Sequence, residues 1–497
     1  MNISIPAWER LALRVFMALV VCMAGPLLHA RDFPPAVPPP AAVNFHMPVV
    51  HRLSNGLRVF LVKSNHVPIV RLYAIVQAGA EADPPGLAGT ATMVAGLLPE
   101  GTRSHSAYQI AEMIDHAGGS VDTGAGWDES YANVSVLSDH KSLAFKVLAD
   151  LLIHPAFADG EVQRIRKQTL SALDVVDQDP GYVANVVLRR YLFAGTSYAH
   201  SEDGTRRSIE SITRRDLRNF HARYYVPSRT ILAVVGDISE ARCLSMATHF
   251  LGRWKNGDGA PPQASIEPRP LHSRQVIVVN RPDSVQTEIR VANLGIPRSN
   301  PDYFALKIAN QVLGGPAANR LFDVLRTEHG LAYGASSDLD CYSMLGAWVA
   351  KTSTRTSDTI KATRMVLNQI ARLRQQPARQ WEIQNARDYL VGHEALEFES
   401  ASQVASQALE MMIYHLPVDY WNQFPNKIRS LTAAQVLAVT RKYLDPDDDV
   451  IVLVGDVNAF RSGLKKLGTV HVIPIAELGR AFPQRRKGTA DRPAPGR

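Results

Sequence analysis

Cysteine is almost absent. The chain of 497 residues holds three, Cys22, Cys243 and Cys341. No Cys-x-x-Cys occurs, which excludes a zinc ribbon and a thioredoxin-type redox motif. Cys243 and Cys341 could pair only if the fold brought them within disulfide reach, so they read as isolated core thiols. Long apolar runs are also missing. Val15 to Leu28 is fourteen residues, against the ~20 needed to span a bilayer. There is no Gly-x-Ser-x-Gly nucleophile elbow. Gly314-Gly315 is followed by no Lys-Ser/Thr, so it reads as a helix stop and not a phosphate loop. The net charge is +7, with no basic stripe interleaved with aromatics, so nucleic-acid binding is excluded. Part of the excess sits in a Pro/Gly-containing basic segment, residues 471–497, which reads as a disordered tail.

The N-terminus has the three parts of an export signal. Arg10 and Arg14 precede the apolar run, and cleavage is expected after Ala30. Residues 1–30 are therefore read as a signal peptide and the mature chain as exported, with a periplasmic location favoured over an uncleaved interfacial anchor. Lipid attachment at Cys22 is disfavoured by the bulky Val21. A Pro-rich linker over 31–48 follows.

The body of the chain repeats itself. Ser211, Thr213, Tyr224, Pro227 and Gly236-Asp237 recur as Ser430, Thr432, Tyr443, Pro446 and Gly455-Asp456, each pair 219 residues apart. In both copies an apolar run leads into the Gly-Asp. Solenoid periods are roughly 20–50 residues, so this is a duplicated domain. The expected domains are 49–256 and 271–470, joined by a linker over 257–270 with Pro261, Pro262 and Pro268.

Within the first domain, Asn55-Gly56 between Arg52-Leu53 and Leu57–Val62 predicts a hairpin. Val70, Leu72, Ala74 and Val76 alternate as a half-buried strand does, and so do Ala132, Val134 and Val136. Helices are expected over Ala88–Leu98, from Ser106 to Gly118-Gly119, along the Leu143–Leu152 stripe and over Glu161–Leu173. In the second domain a strand is expected over Gln275–Val279 and a helix over Tyr303–Leu313. The order indicates an α+β class, helices packed on a sheet in each of two domains.

Asn55-Gly56-Leu57-Arg58-Val59, Ala78-Gly79, Pro85-Gly86-Leu87-Ala88-Gly89 and Gly101-Thr102 form one set of motifs. Leu313-Gly314-Gly315, Arg320-Leu321-Phe322, Leu325-Arg326 and Gly330-Leu331-Ala332-Tyr333 form a second. Together with the two Gly-Asp strands they resemble the pitrilysin/insulinase family of zinc metallopeptidases, which includes the mitochondrial processing peptidase. The resemblance covers roughly residues 45 to 465 and implies two homologous domains, each a mainly antiparallel sheet packed with helices.

In active members of that family, His-x-x-Glu-His on the helix after the Pro-Gly segment places two imidazoles on one helix face around Zn²⁺, with the Glu as base. A third ligand, a Glu, follows 76 residues on. The corresponding positions here are Thr92, Ala95, Gly96 and Ala172. None can bind zinc, and none of the 16 His residues lies in His-x-x-Glu-His or His-Glu-x-x-His. The resemblance therefore implies no catalytic residue and no metal in this chain. It also implies that Arg326 and Tyr333 correspond to the family's substrate-binding and oxyanion-stabilising pair. The plain alternatives are a surface ion-pair partner for Arg326 and a half-buried strand position for Tyr333.

Bacterial members of the family often pair a zinc-bearing chain with a zinc-less one. The expected function is accordingly a non-catalytic subunit, with zinc on a catalytic paralogue, a peptide substrate and no stable membrane span. The alternative is a structural or peptide-binding scaffold with no part in catalysis. An unrelated chemistry is disfavoured. His200, Glu202 and Asp203, like His393, Glu394, Glu397 and Glu399, read as solvated polar surface.

Overall fold

The computed structural model describes residues 44–257, 267–268, 273–316 and 318–475. The expected signal peptide, most of the expected first linker and residues 476–497 of the expected tail lie outside the described residues. So do 258–266 and 269–270 of the expected linker between the domains, and 271–272 of the second domain.

The first sheet is built from β1 (Val50–Arg52), β2 (Arg58–Lys63), β3 (Ile69–Val76), β4 (Ser120–Ala125), β5 (Ser130–Leu137) and β6 (Thr230–Gly236). Between strands run the helices α1 (Thr90–Leu97), α2 (Ala107–His116), α3 (Lys141–Ile153), α4 (Asp159–Val176), α5 (Pro180–Leu192), α6 (Arg206–Ser211) and α7 (Arg214–Tyr224), with α8 (Glu240–Leu251) after β6. The strand order is β1-β2-β6-β3-β5-β4.

The second sheet holds β7 (Gln275–Asn280), β8 (Gln286–Leu294), β9 (Ala335–Cys341), β10 (Gly346–Arg355), β11 (Val450–Gly455) and β12 (Thr469–Pro474). Its order is β12-β7-β11-β8-β10-β9, the same winding as the first. Its helices are α9 (Tyr303–Gly314), α10 (Arg320–Phe322) continued by a π-helical turn (Asp323–Glu328), α11 (Thr359–Gln375), α12 (Gln380–Leu396), α13 (Ala401–Ile413), α14 (Tyr420–Ser430), α15 (Ala433–Tyr443) and α16 (Val457–Leu464). Both sheets are mixed. β6 runs parallel to β2, and β11 and β12 run parallel to β7, while the remaining pairs are antiparallel.

The repeat in sequence is thus a repeat in structure. Thr213 caps α7 through the Asp216 N–H, and Thr432 caps α15 through the Gln435 N–H, in matching capping boxes. β6 and β11 are buried along their whole length. Such strands show continuous apolar runs and no alternation because both faces are covered.

What covers the second face is exchanged between the repeats. Helix α5 of the first domain packs on β8 and β11 of the second sheet. There Val183, Val187 and Leu188 share a core with Val279, Val349, Val452 and Val454. Helix α13 of the second domain packs on β2 and β6 of the first sheet, where Ala405, Ala408 and Leu409 join Phe60, Ile231, Ala233 and Val235. Each sheet therefore carries its own helices on one face and the other repeat's helix on the opposite face.

The structure revises two expected boundaries. Phe45, placed in the 31–48 linker, is buried, and its backbone N–H and C=O bond the Asn422 side chain at 2.9 and 2.8 Å. Residues His471–Pro474, placed in the tail, belong to β12, which pairs with β7. Thr-Val-His-Val-Ile-Pro is short and ends in proline, and as an edge strand it buries only Ile473, so pairing with β7 defines it more than its own pattern does.

Candidate functional site

Helix α1 carries Thr92, Ala95 and Gly96, three of the four positions expected to correspond to the family's zinc ligands. Its N-terminus is organised by an aspartate from the preceding loop. Gly89 and Ala91 donate their N–H groups to the two oxygens of Asp83, at 2.6 and 2.8 Å, an arrangement that favours negative charge at a helix start. Burial nevertheless pushes the Asp83 carboxyl up to about 8, against those bonds. Gly89 has φ +90°, and a Cβ there would meet Ile209 at 2.8 Å, so the Pro-Gly-Leu-Ala-Gly turn needs its final glycine.

At the first position, the Thr92 hydroxyl donates to the Glu202 carbonyl at 2.8 Å. It ties α1 to the 200–204 loop instead of facing a metal. Ala95 has no exposed surface, so a glutamate could not enter there without displacing its neighbours. Gly96 faces open space. Ala172 is exposed on α4, which packs against α1. The four side chains offer no imidazole, thiolate or carboxylate, so they do not fit a zinc ion. Among the described residues, no group of three or more His, Cys, Asp or Glu is placed to hold a metal ion.

Arg326 and Tyr333 lie together on a different wall of the molecule. The guanidinium of Arg326 stands 4.6 Å from the centre of the Tyr333 ring and 5.0 Å from that of Phe322. Neither forms a hydrogen bond or ion pair with any described residue, and Tyr333 is 87% exposed. The surface ion pair and the half-buried strand position are thus both absent; Tyr333 precedes β9 and lies outside it.

The backbone beneath this pair is firmly held. Asn319 caps α10 through the Phe322 N–H. Arg320 makes two bonds to the Glu382 carboxylate, at 2.6 and 2.7 Å. Leu331 N–H donates to the Leu325 carbonyl, and Thr354 and Thr352 hydroxyls donate to the Leu331 and Gly334 carbonyls. Gly330 takes φ +58° to make the turn. Arg326 itself sits in the π-helical turn, a distortion often found at functional sites. The packing partners of this segment are α9, α11 and β9 of the second domain, whereas those of α1 are α4, α7, β4 and β5 of the first.

A second feature carries no motif. Three loops meet where the domains join: Gly79–Asp83, Trp127–Glu129 and His200–Asp203. Asp128 accepts from the Tyr198 hydroxyl at 2.6 Å and from the Ser343 hydroxyl and N–H at 2.7 and 2.8 Å, linking the first domain to the β9–β10 hairpin. Burial first, then the Asp128 charge, pushes the Glu81 carboxyl up to about 8 and that of Glu129 up to about 7. Burial pushes Glu202 up to about 7 against the opposing pull of Arg189, and pushes His200 down. In the 200–203 group His200 and Glu202 are therefore half-buried in the joint, and Asp203 alone is exposed, as a solvated surface residue would be. In the other group only Glu394 departs from solvated surface: it is 8% exposed, and burial pushes it up to about 7, whereas His393 and Glu399 are exposed as expected. Sequence spacing could not show these clusters, because their members come from loops far apart along the chain. The two thiols are free, and burial pushes each up to about 12.

A family model described as insulinase (peptidase family M16) matches residues 58–205. A second, described as peptidase M16 inactive domain, matches residues 211–390. An uncharacterized zinc protease, YmxG, of Bacillus subtilis is 23% identical over 353 residues, 71% of this chain and 85% of that protein. A non-peptidase homolog of Helicobacter pylori is 22% identical over 414 residues, 82% of this chain and 94% of that one. The crystal structure of a peptidase M16 inactive domain from Pseudomonas fluorescens superposes with a TM-score of 0.76 at 28% identity, covering 82% of this chain and 98% of its own. A protease from Helicobacter pylori shares the fold, with a TM-score of 0.77 at 16% identity over 83% of this chain and 100% of its own.

Proposed function

The chain belongs to the peptidase M16 family, and from that premise we propose that it is the zinc-less subunit of an exported hetero-oligomeric zinc metallopeptidase. Its fold is that of an inactive M16 protein, a pseudo-peptidase. The proposal adds a zinc-bearing paralogue as partner and a peptide as substrate. Arg326 and Tyr333 would act in trans on substrate held at the partner's metal. Export rests on the sequence of residues 1–30.

One observation carries this reading. An exposed Arg-Tyr stack without an internal partner is held on a fixed backbone, far in packing terms from the helix that carries zinc in active relatives. Donors fixed before substrate arrives stabilise developing negative charge without reorganisation. The guanidinium offers several N–H donors and the phenol one O–H. The scaffold reading draws on the Helicobacter pylori relative, which is named a non-peptidase homolog.

The test is reconstitution with a His-x-x-Glu-His paralogue. The chain alone should bind no zinc and cleave no peptide, and the mixture should do both. Arg326→Ala or Tyr333→Phe should then lower turnover of the complex by roughly 10²-fold, the effect of losing one oxyanion donor. Assembly and bound zinc should be unchanged. Full turnover with both variants would leave only the scaffold role.

A further inference from the structure

Helix α5 of the first domain and strands β9 and β10 of the second enclose a cavity of about 220 Å³. At ~30 Å³ per water it holds roughly seven waters. It is smaller than the ~300–1,000 Å³ of sites for drug-sized ligands. Its exposed rim is marked by Asn185 and Asp203.

Two unpartnered donors line it. The Trp127 indole N–H and one terminal nitrogen of Arg189 are buried and bond to nothing among the described residues, and Trp127 is only 5% exposed. Arg189 is not free to turn away. Its guanidinium lies 4.7 Å from the centre of the Trp127 ring and 5.3 Å from that of Tyr342, and its other terminal nitrogen donates to the Tyr342 hydroxyl. Two carboxyls, of Glu202 and Asp340, also line the cavity, and neither accepts a hydrogen bond from a described residue. Burial raises both against the opposing charge of Arg189. Leu192, Phe193 and Val349 supply an apolar wall.

Buried polar groups are nearly always paired, so the two buried donors call for an occupant, and the half-buried Glu202 and Asp340 carboxyls stand beside them without a donor from the described residues. A simple anion would satisfy the donors and leave the carboxyls unmatched. A simple cation would do the reverse. We infer that this cavity binds a single apolar α-amino acid, its carboxylate taken by Trp127 and Arg189, its ammonium by Glu202 and Asp340, and its side chain by the apolar wall. The site lies wholly within this chain and requires no partner subunit.

Calorimetric titration of the full chain tests this, with L-leucine, L-phenylalanine and L-alanine as probes. Leucinamide, which lacks the carboxylate, and N-acetyl-L-leucine, which lacks the ammonium, are the controls. At least one amino acid should bind saturably, and both controls should bind at least about tenfold more weakly than leucine, as loss of a charged hydrogen bond requires. Trp127→Phe deletes the N–H together with the pyrrole half of the indole. It should weaken the amino acid about tenfold more than it weakens leucinamide, which has no carboxylate for that N–H to hold. If that variant fails to fold, Glu202→Gln serves: the amino acid weakens and N-acetyl-L-leucine does not. No saturable binding of any amino acid up to about 10 mM, or a control that binds as tightly as leucine, overturns the proposal and leaves the cavity to water.

Discussion

Single side chains in this molecule divide into those whose environment is fixed by the fold and those left free above it. Arg326 and Tyr333 are of the second kind. Truncating either should change stability by less than about 0.5 kcal/mol, since neither touches a named source of large destabilisation. A denaturant melt that shows more would mean that the pair is structural. Glu394 is of the first kind. Its carboxyl rises from an ordinary 4.5 to about 7, chiefly through burial, with Lys307 opposing. Between those values the folded chain holds a proton that the unfolded chain has released. The associated stability is therefore present in full below about pH 4.5 and lost as pH rises to about 7. Replacing it by a neutral amide removes that dependence. Relative to wild type, Glu394→Gln should gain about 2–3 kcal/mol between about pH 5 and about pH 8. Urea melts of both proteins at the two pH values measure it. A constant difference between them would show that the carboxylate stays ionised in the fold.

Among elements, α1 carries three of the positions expected to correspond to zinc ligands. The helix is short, remotely capped by Asp83, and ends near a glycine that faces open space. An interior helical glycine is less favourable than alanine by roughly 0.5–1 kcal/mol. Gly96→Ala should stabilise the protein by that amount, read as a raised denaturant midpoint with unchanged slope. A loss of stability would mean that position 96 is covered in solution. The start of α2 was legible in sequence because it is local: Ser106 and Gln109, three positions apart, close a capping box. Strand β4 was not legible. Ser-Val-Asp-Thr-Gly-Ala is a polar edge without apolar alternation, and pairing with β5 creates it. The candidate site divides in the same way. Thr92, Ala95, Gly96 and Arg326 could be located from short motifs. The meeting of Glu81, Asp128 and Glu202, and the cavity beside Arg189, exist only after three loops and the other domain have come together.

At the scale of the whole molecule, the exchanged helices make the two repeats dependent on each other. Without the second domain, α5 would have no sheet beneath it, and Phe60, Ile231, Ala233 and Val235 would lose the cover of α13. A leucine, isoleucine or phenylalanine moved from full burial to water costs about 1.5–3 kcal/mol. Exposing several of them exceeds much of the ~5–15 kcal/mol that typically holds a domain together. A fragment of residues 44–257 should not fold alone, and should show collapsed but fluctuating packing by near-UV circular dichroism. The intact chain should unfold in a single calorimetric transition with equal calorimetric and van't Hoff enthalpies, although its 219-residue repeat describes two domains. Leu188→Ala, which opens the α5 interface, should lower that one transition by the ~2–5 kcal/mol of a buried leucine and should not split it. Two resolved transitions in the wild type would show that the exchange is a contact between independent domains. In that case each half could lose or change its function without the other. A single transition means that the domain carrying Thr92, Ala95 and Gly96 and the domain with the Arg-Tyr stack stand or fall together.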